Sequence, residues 1–256
     1  VVVKAGNCFF EGITFVNSWG HEKQAGPQAL ALNTQGDRIV FNKCSMWSYQ
    51  DTWITTSTSN NRCYAKDCFI EGAVDFIYNS GNIYIDNSTL YINRKSGGYI
   101  VAPSHGADVE WGYVFMNCRL IHNENATKVY LGRPWRSFAK TVFIDCELGD
   151  HIRPEGWHNW SKPYAEKTTF YAEYGSKGPG AEGTRVKWSH TLKEKDLKKY
   201  TPENVRLVTQ GAAVAASLKS YLCRHKAMDE LCTKGGNTIF CTTEAGGKFG
   251  AQASLF

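Results

Sequence analysis

Asp37-Arg38-Ile39-Val40-Phe41-Asn42-Lys43-Cys44-Ser45-Met46 and Asn61-Arg62-Cys63-Tyr64-Ala65-Lys66-Asp67-Cys68-Phe69-Ile70 are two copies of one pattern. Apolar residues alternate, a polar or charged residue follows, then a small anchor, then another apolar position. Gly81–Leu90, Trp111–Leu120 and Lys140–Gly149 repeat it with anchors Ser88, Cys118 and Cys146, and Val1–Phe10 reads the same way with Cys8 as anchor. Three residues before the anchors stand Ala5, Phe41, Ala65, Ile85, Phe115 and Phe143; two residues after them stand Phe10, Met46, Ile70, Leu90, Leu120 and Leu148. Alternation with a period of two is a half-buried strand, and Asn or Asp at its end marks a turn. The anchors recur after 36, 24, 20, 30 and 28 residues, with no amphipathic helix between. Repeats of this length that carry one strand pattern each read as a solenoid whose coils stack. The expected fold is all-β, a right-handed single-stranded parallel β-helix. A β-sandwich is the competitor, but it requires turn signals every 8–12 residues, and these are missing.

Several consequences follow from that frame. The small anchors read as an inward ladder of buried thiols; stacked coils lie about 4.8 Å apart, which leaves a disulfide between neighbours sterically conceivable. Val1–Val3 already read as a rung strand with no cap before them, so the chain is expected to begin within the solenoid, with N-terminal coils missing. The solenoid is expected to occupy residues 1–205, with some helical character over Lys187–Tyr200. Residues 206–256, rich in Ala and Gly and carrying Cys223, Cys232 and Cys241, read as a poorly ordered tail.

Composition narrows the chemistry. Among 256 residues, 42% are hydrophobic and 21% charged, enough for a sizeable core, and the net charge of +5 favours an anionic polymer as partner. No Lys/Arg cluster suggests nucleic acid, no apolar run is long enough to cross a bilayer, and no stretch reads as a signal peptide. The nine cysteines lack C-x-x-C or His-paired zinc spacing. The sequons at Asn87, Asn125 and Asn159 carry little weight for secretion. G-x-S-x-G, G-x-G-x-x-G and P-loop patterns are absent, which leaves carboxylates as the reactive groups.

Seven residues after the anchors of two consecutive coils stand Asp51 and Asp75. Equal offsets place them one above the other on one face, where two carboxylates push each other's pKa values apart. They are either solvated carboxylates or a pair suited to acid–base or nucleophilic work. Asp75 lies in an apolar strand, Ala73–Tyr78, where an unpaired charge is costly. Gln28 and Gln50 are about one coil apart: either a structural ladder, or a pair of N–H donors for an oxyanion. Arg133, held between Gly132 and Pro134, reads either as a structural ion pair or as the partner of a carboxylate that must stay ionised. If it pairs with Asp75, that carboxyl should be depressed and Asp51 raised. Tyr78, Trp135, Trp157 and Trp160 are candidate exposed rings, although core packing is the commoner role of Trp.

The segments Gly26–Leu32 (GPQALAL), Gln50-Asp51-Thr52, Ile70–Tyr78 (IEGAVDFIY) and Leu131–Trp135 (LGRPW), together with Gly12–Ser18 and Pro154–Trp157, resemble the plant-type pectin methylesterase (pectinesterase) family over about residues 1–205. The resemblance implies hydrolysis of the methyl esters of galacturonate in pectin, without metal or cofactor. By motif, Asp75 would be the nucleophile and Asp51 the general acid and then base. Gln28 and Gln50 would form the anion hole, and Arg133 would hold Asp75. Tyr78, Trp135 and Trp157 would line the sugar cleft. It also implies a secreted monomer of the cell wall, bound neither to nucleic acid nor to membrane, with methyl-esterified pectin as substrate and a proteinaceous pectinesterase inhibitor as candidate partner. Three features depart from the family pattern. The missing first coils are one; Tyr78 followed by Asn79-Ser80-Gly81, where Phe-Gly is usual, is another; the ending after residue 205 is the third. A non-catalytic pectin-binding wall protein on the same scaffold is the alternative, but such a relative is expected to lack one of Gln28, Gln50, Asp51, Asp75 or Arg133. A polysaccharide lyase would call for an acidic calcium site and a basic proton abstractor, which the Asp/Gln face does not supply.

Overall fold

A computed structural model describes residues 1–202, 204 and 205. The described residues build three parallel sheets. The first contains Val2–Val3, Leu32–Thr34, Trp53–Ile54, Val74–Asn79, Tyr99–Pro103 and Tyr130–Gly132, in that spatial order. The second contains eight strands, from Cys8–Glu11 through Ile39–Asn42, Arg62–Lys66, Asn82–Asp86, Tyr113–Met116, Lys140–Ile144 and Phe170–Tyr174 to His190–Thr191. The third contains Thr14–Val16, Ser45–Trp47, Phe69–Gly72, Thr89–Ile92, Arg119–His122 and Glu147–Leu148. Six coils visit the three sheets in turn, Phe170–Tyr174 and His190–Thr191 extend the second sheet beyond them, and every strand pairs in parallel with its counterparts in the neighbouring coils. This is the parallel β-helix expected from the repeat.

The repeat positions form inward columns. Phe41, Ala65, Ile85, Phe115 and Phe143 are all fully buried, as are Met46, Ile70, Leu90, Leu120 and Leu148 one sheet further on. Phe115 and Phe143 stack with ring centroids 4.4 Å apart. Each such side chain stabilises the fold by roughly 1.5–3 kcal/mol on burial. The polar residue before each anchor sits in the left-handed region, with φ between 44° and 54° at Lys43, Asp67, Asn87, Asn117 and Asp145. These corners carry the chain from the second sheet to the third, which is why Asn and Asp recur there. The anchors Cys44, Cys68, Cys118 and Cys146 are buried and unoxidised, and Ser88 accepts a hydrogen bond from the Cys68 N–H at 3.0 Å.

The first coil corrects the repeat alignment. Cys8 pairs with Ile39, and Phe10 with Phe41. The anchor slot beside Cys44 therefore belongs to Ile13, with Gly12 (φ 63°) at the corner and Phe15 paired with Met46. Val2–Val3 belong to the first sheet, against Asn33 and Thr34. Alternation alone misled the reading here, because Cys8 lies five residues from the true slot in an equally apolar stretch.

Among the described residues two short α-helices interrupt the strands. Ser18–Lys23 is capped by Asn17, whose side chain accepts from the Gly20 N–H. The helical character expected over Lys187–Tyr200 reduces to Glu194–Leu197 and a 3-10 turn at Lys198–Tyr200. This segment covers the outer face of the second sheet, where Leu192, Tyr200 and Val205 pack with Tyr84, Val114 and Val142. The tail and its three cysteines lie outside the described residues.

Candidate active site

The carboxylates sit where the first sheet passes from coil to coil. Gln50 bridges Val74 in parallel register, and the Asp51 N–H donates to the Val74 carbonyl at 3.0 Å. Asp51 and Asp75 are therefore neighbours in adjacent coils, as their equal offsets implied. Both have left-handed backbones, φ 61° and 50°, and the pairing of Val74–Asn79 with Tyr99–Pro103 shifts register between Val74 and Ile77. Such bulges re-aim a side chain that would otherwise alternate with the pleat. One coil earlier, the Ala29 N–H donates to the Gln50 carbonyl at 3.0 Å, which sets Gln28 beside Gln50. Gln28 is exposed and Gln50 half-buried.

Arg133 reaches Asp75 from two coils away. Its Nε donates to Oδ1 at 2.9 Å and its Nη2 to Oδ2 at 2.6 Å. This fork is doubly braced. The guanidinium carbon lies 3.7 Å from the centroid of Tyr99 and 3.6 Å from that of Trp160. Lys162 donates to the Trp135 carbonyl at 3.0 Å and packs over Trp160 at 4.4 Å. The loop thus clamps the Arg133–Trp135 turn while adding a second positive charge near Asp75.

Electrostatics separate the two carboxyls. Burial, and then the charge of Asp75, push Asp51 up to about 7; Arg133 and a hydrogen bond from the Tyr78 hydroxyl oppose this. Asp75 is also raised above the usual carboxylate range. Burial is the larger influence, and the Arg133 fork opposes it without reversing it. The expected depression of Asp75 is therefore not found: an interior position 6% exposed costs the charge more than the guanidinium returns.

The aromatic expectations divide. Tyr78 and Trp135 are half-buried and adjoin each other, with ring centroids 5.9 Å apart, beside Asp51. Trp157 is a correction. It is 1% exposed and stacks on Tyr171 at 4.3 Å inside the solenoid, so its ring supports the strand carrying Arg133 and presents no face to a sugar. Trp160, also a candidate exposed ring, lies against the guanidinium. The bracing role of Tyr99 was missed; its signal is the pairing of Val74 with Tyr99, which becomes legible only once the coil length is known. A separate cavity of about 470 Å³, lined by Glu110, Trp111, Lys140, Phe170, Lys199 and Tyr200, shares no residue with this constellation.

Comparison with known proteins gives a consistent picture. The Pectinesterase family profile matches residues 1–209. Probable pectinesterase/pectinesterase inhibitor 6 of Arabidopsis thaliana is 39% identical over 209 residues, covering 78% of this chain and 36% of its own length. Pectinesterase 31 of the same plant is 36% identical over 194 residues, covering 75% and 59%. Against these curated relatives the chain thus spans from about a third to three fifths of their length. Among solved structures, pectin methylesterase from carrot matches with a TM-score of 0.72 at 26% identity, over 86% of this chain and 70% of that one. A pectin methylesterase in complex with a hexasaccharide matches with a TM-score of 0.68 at 26% identity, over 80% and 71%. Among the described residues no helix is long and apolar enough to cross a membrane. With most of its length matched by the profile and its coils shared with the solved members, the chain belongs to the pectinesterase family, as a plant-type member.

Proposed function

We propose that this chain carries the catalytic site of a pectin methylesterase, which hydrolyses the methyl esters of galacturonate in pectin by a two-aspartate mechanism. The observation that carries the reading is the unequal pair: Asp75 gripped by the Arg133 fork, and Asp51 beside it pushed up to about 7. A salt-bridged carboxylate keeps its charge for attack, and a carboxyl titrating near neutrality can both give and take a proton.

An oxygen of Asp75 adds to the ester carbonyl carbon, and the carbonyl electrons move onto oxygen. The N–H donors of Gln28 and Gln50 hold that oxyanion without offering an acidic proton of their own. When the intermediate collapses, the bond to methoxide breaks, Asp51 delivers its proton, and methanol leaves. Asp51, now ionised, takes a proton from water as the hydroxide adds to the acyl carbon of the mixed anhydride. Cleavage of the anhydride restores Asp75 and frees the galacturonate acid. Tyr78 and Trp135 offer flat faces to the sugar beside the reacting ester, and the net charge of +5 suits an anionic polymer. A secreted monomer of the plant cell wall goes with this substrate. The printed names of several relatives join pectinesterase to pectinesterase inhibitor, which makes an inhibitor protein the first partner to try.

The test is methanol release from highly methylated pectin by this chain, and by a longer form extended at its N-terminus. Pectin binding without methanol from either form would assign the fold to binding alone. Arg133→Lys probes the fork directly. It keeps the charge but loses the planar pair of donors and the ring sandwich. We expect kcat to fall by about 100-fold with little change in KM, because a misdirected nucleophile costs rate more than binding. A variant changed only in KM would make Arg133 a substrate-binding residue.

A further inference from the structure

Away from the carboxylate pair, His122, Asp150 and His151 converge where the third sheet turns back toward the first. His122 ends the strand Arg119–His122, and Asp150 and His151 follow Glu147–Leu148 in the next coil, with Arg119 paired to Glu147 and Leu120 to Leu148. One ligand atom from each of the three lies within 4.8 Å of the other two.

Two polar deficits meet there. His122 turns Nδ1 to the Asn123 carbonyl and places Nε2 2.8 Å from Oδ1 of Asp150. Both oxygens can only accept, and a neutral imidazole has a single N–H. The Nδ1–H satisfies the carbonyl, so Nε2 faces a carboxylate oxygen lone pair to lone pair unless a second proton or a cation stands between them. His151 has the converse problem. It is 1% exposed, and neither ring nitrogen has a hydrogen-bond partner. A buried imidazole left without partners carries an uncompensated desolvation cost. Its ring centroid is 4.5 Å from that of His122, so a second proton on His122 would put a cation beside His151 without giving it an acceptor.

From these two deficits we propose that His122, Asp150 and His151 form a binding site for a divalent cation of the zinc class. A single cation takes the Nε2 lone pair of His122, one lone pair of His151 and one oxygen of Asp150. Two imidazoles and a carboxylate are a donor set for borderline cations such as zinc, and too rich in nitrogen for calcium or magnesium. The Nδ1–H of His122 on the Asn123 carbonyl is the outer hydrogen bond that fixes the ligating tautomer. Asp150 is exposed and free to open from its 2.8 Å contact toward tetrahedral spacing, with water as fourth ligand. The site ties two coils together. The chain leaving it at Ile152 bridges Val129, just before the strand Tyr130–Gly132 that leads into Arg133, so the cation would fasten this part of the scaffold without touching the reaction.

The test uses cobalt(II), a spectroscopic substitute for zinc, on the whole chain with its cysteines reduced. We expect one equivalent to bind with d–d absorption and without a thiolate-to-cobalt charge-transfer band, and zinc to displace it. The exposed-site substitution Asp150→Asn, with unchanged circular dichroism, should weaken binding by about 100-fold or more, and His122→Gln likewise, since even outer-shell changes cost 10–100-fold. Zinc should raise the unfolding temperature of the parent protein and not of either variant. Failure to bind cobalt, a thiolate band showing that cysteines hold the metal, or equal affinity in both variants would each overturn the assignment.

Discussion

Asp75→Asn is expected to abolish methanol release, with a fall in kcat of about four orders of magnitude or more, while the protein stays folded. The substitution is chosen for the backbone as much as for the charge. Asp75 has φ 50°, a left-handed conformation that Asn tolerates better than any other side-chain-bearing residue. Alanine would confound the result by straining the turn and stripping Arg133 of both hydrogen-bond partners. With Asn, one oxygen still accepts from the Arg133 fork, and the guanidinium keeps Tyr99 and Trp160 on its two faces. Breaking a buried ion pair can cost about 3–5 kcal/mol, so the unfolding midpoint should drop measurably but not to the point of unfolding a chain with so continuous a core. What Asn cannot do is donate an electron pair at carboxylate strength to a carbonyl carbon. A folded Asp75→Asn protein with turnover near that of the parent would remove Asp75 from the role of nucleophile, whatever its geometry.

The sequence made some of this site readable and concealed the rest for identifiable reasons. The coils were legible because a parallel β-helix repeats its inward alternation in every turn. Phe41, Ala65, Ile85, Phe115 and Phe143 are one column whether counted along the chain or seen in space. The stacking of Asp51 on Asp75 followed from the same periodicity, since equal offsets from equivalent anchors become neighbouring positions. The first coil failed because its slot holds Ile13, while Cys8 imitates the anchor from the strand before. The Arg133–Asp75 contact spans 58 residues, and no spacing rule supplies a distance across two coils of unequal length. Tyr99 and Trp160 were hidden for the same reason. Trp157 was misplaced because composition does not tell an inward ring from an outward one. Its neighbour Gly156, with φ 68°, sits at a turn just ahead of it, and the indole stacks inward on Tyr171. The direction of the Asp75 shift depended on a balance between burial and pairing that only the packed structure can weigh.

That balance leads to the second large effect, on the pH dependence of the reaction. The proposed cycle needs Asp75 ionised and Asp51 protonated in the same resting state. As pH rises through the Asp51 transition at about 7, the acid is lost and kcat/KM should fall. As pH drops, Asp75 takes up a proton and attack is lost; because burial raises its pKa, this limb should lie above the ordinary carboxylate range. The two carboxyls interact, so each limb reports a step of the pair and not a single residue. Asp51→Asn separates them. Its φ of 61° again suits Asn, and the Tyr78 hydroxyl retains an amide oxygen to donate to. The amide has no proton to give to departing methoxide and cannot take one from water. The rate should therefore fall by about 10²–10⁴-fold, the usual contribution of general acid–base catalysis. The high-pH limb should vanish from what remains, and a low-pH limb, set in this variant by Asp75 alone, should persist. If the high-pH limb survived unchanged in Asp51→Asn, the proton would come from another group. Tyr78, which burial and the charge of Asp51 push well above the usual tyrosine range, would then need testing by Tyr78→Phe.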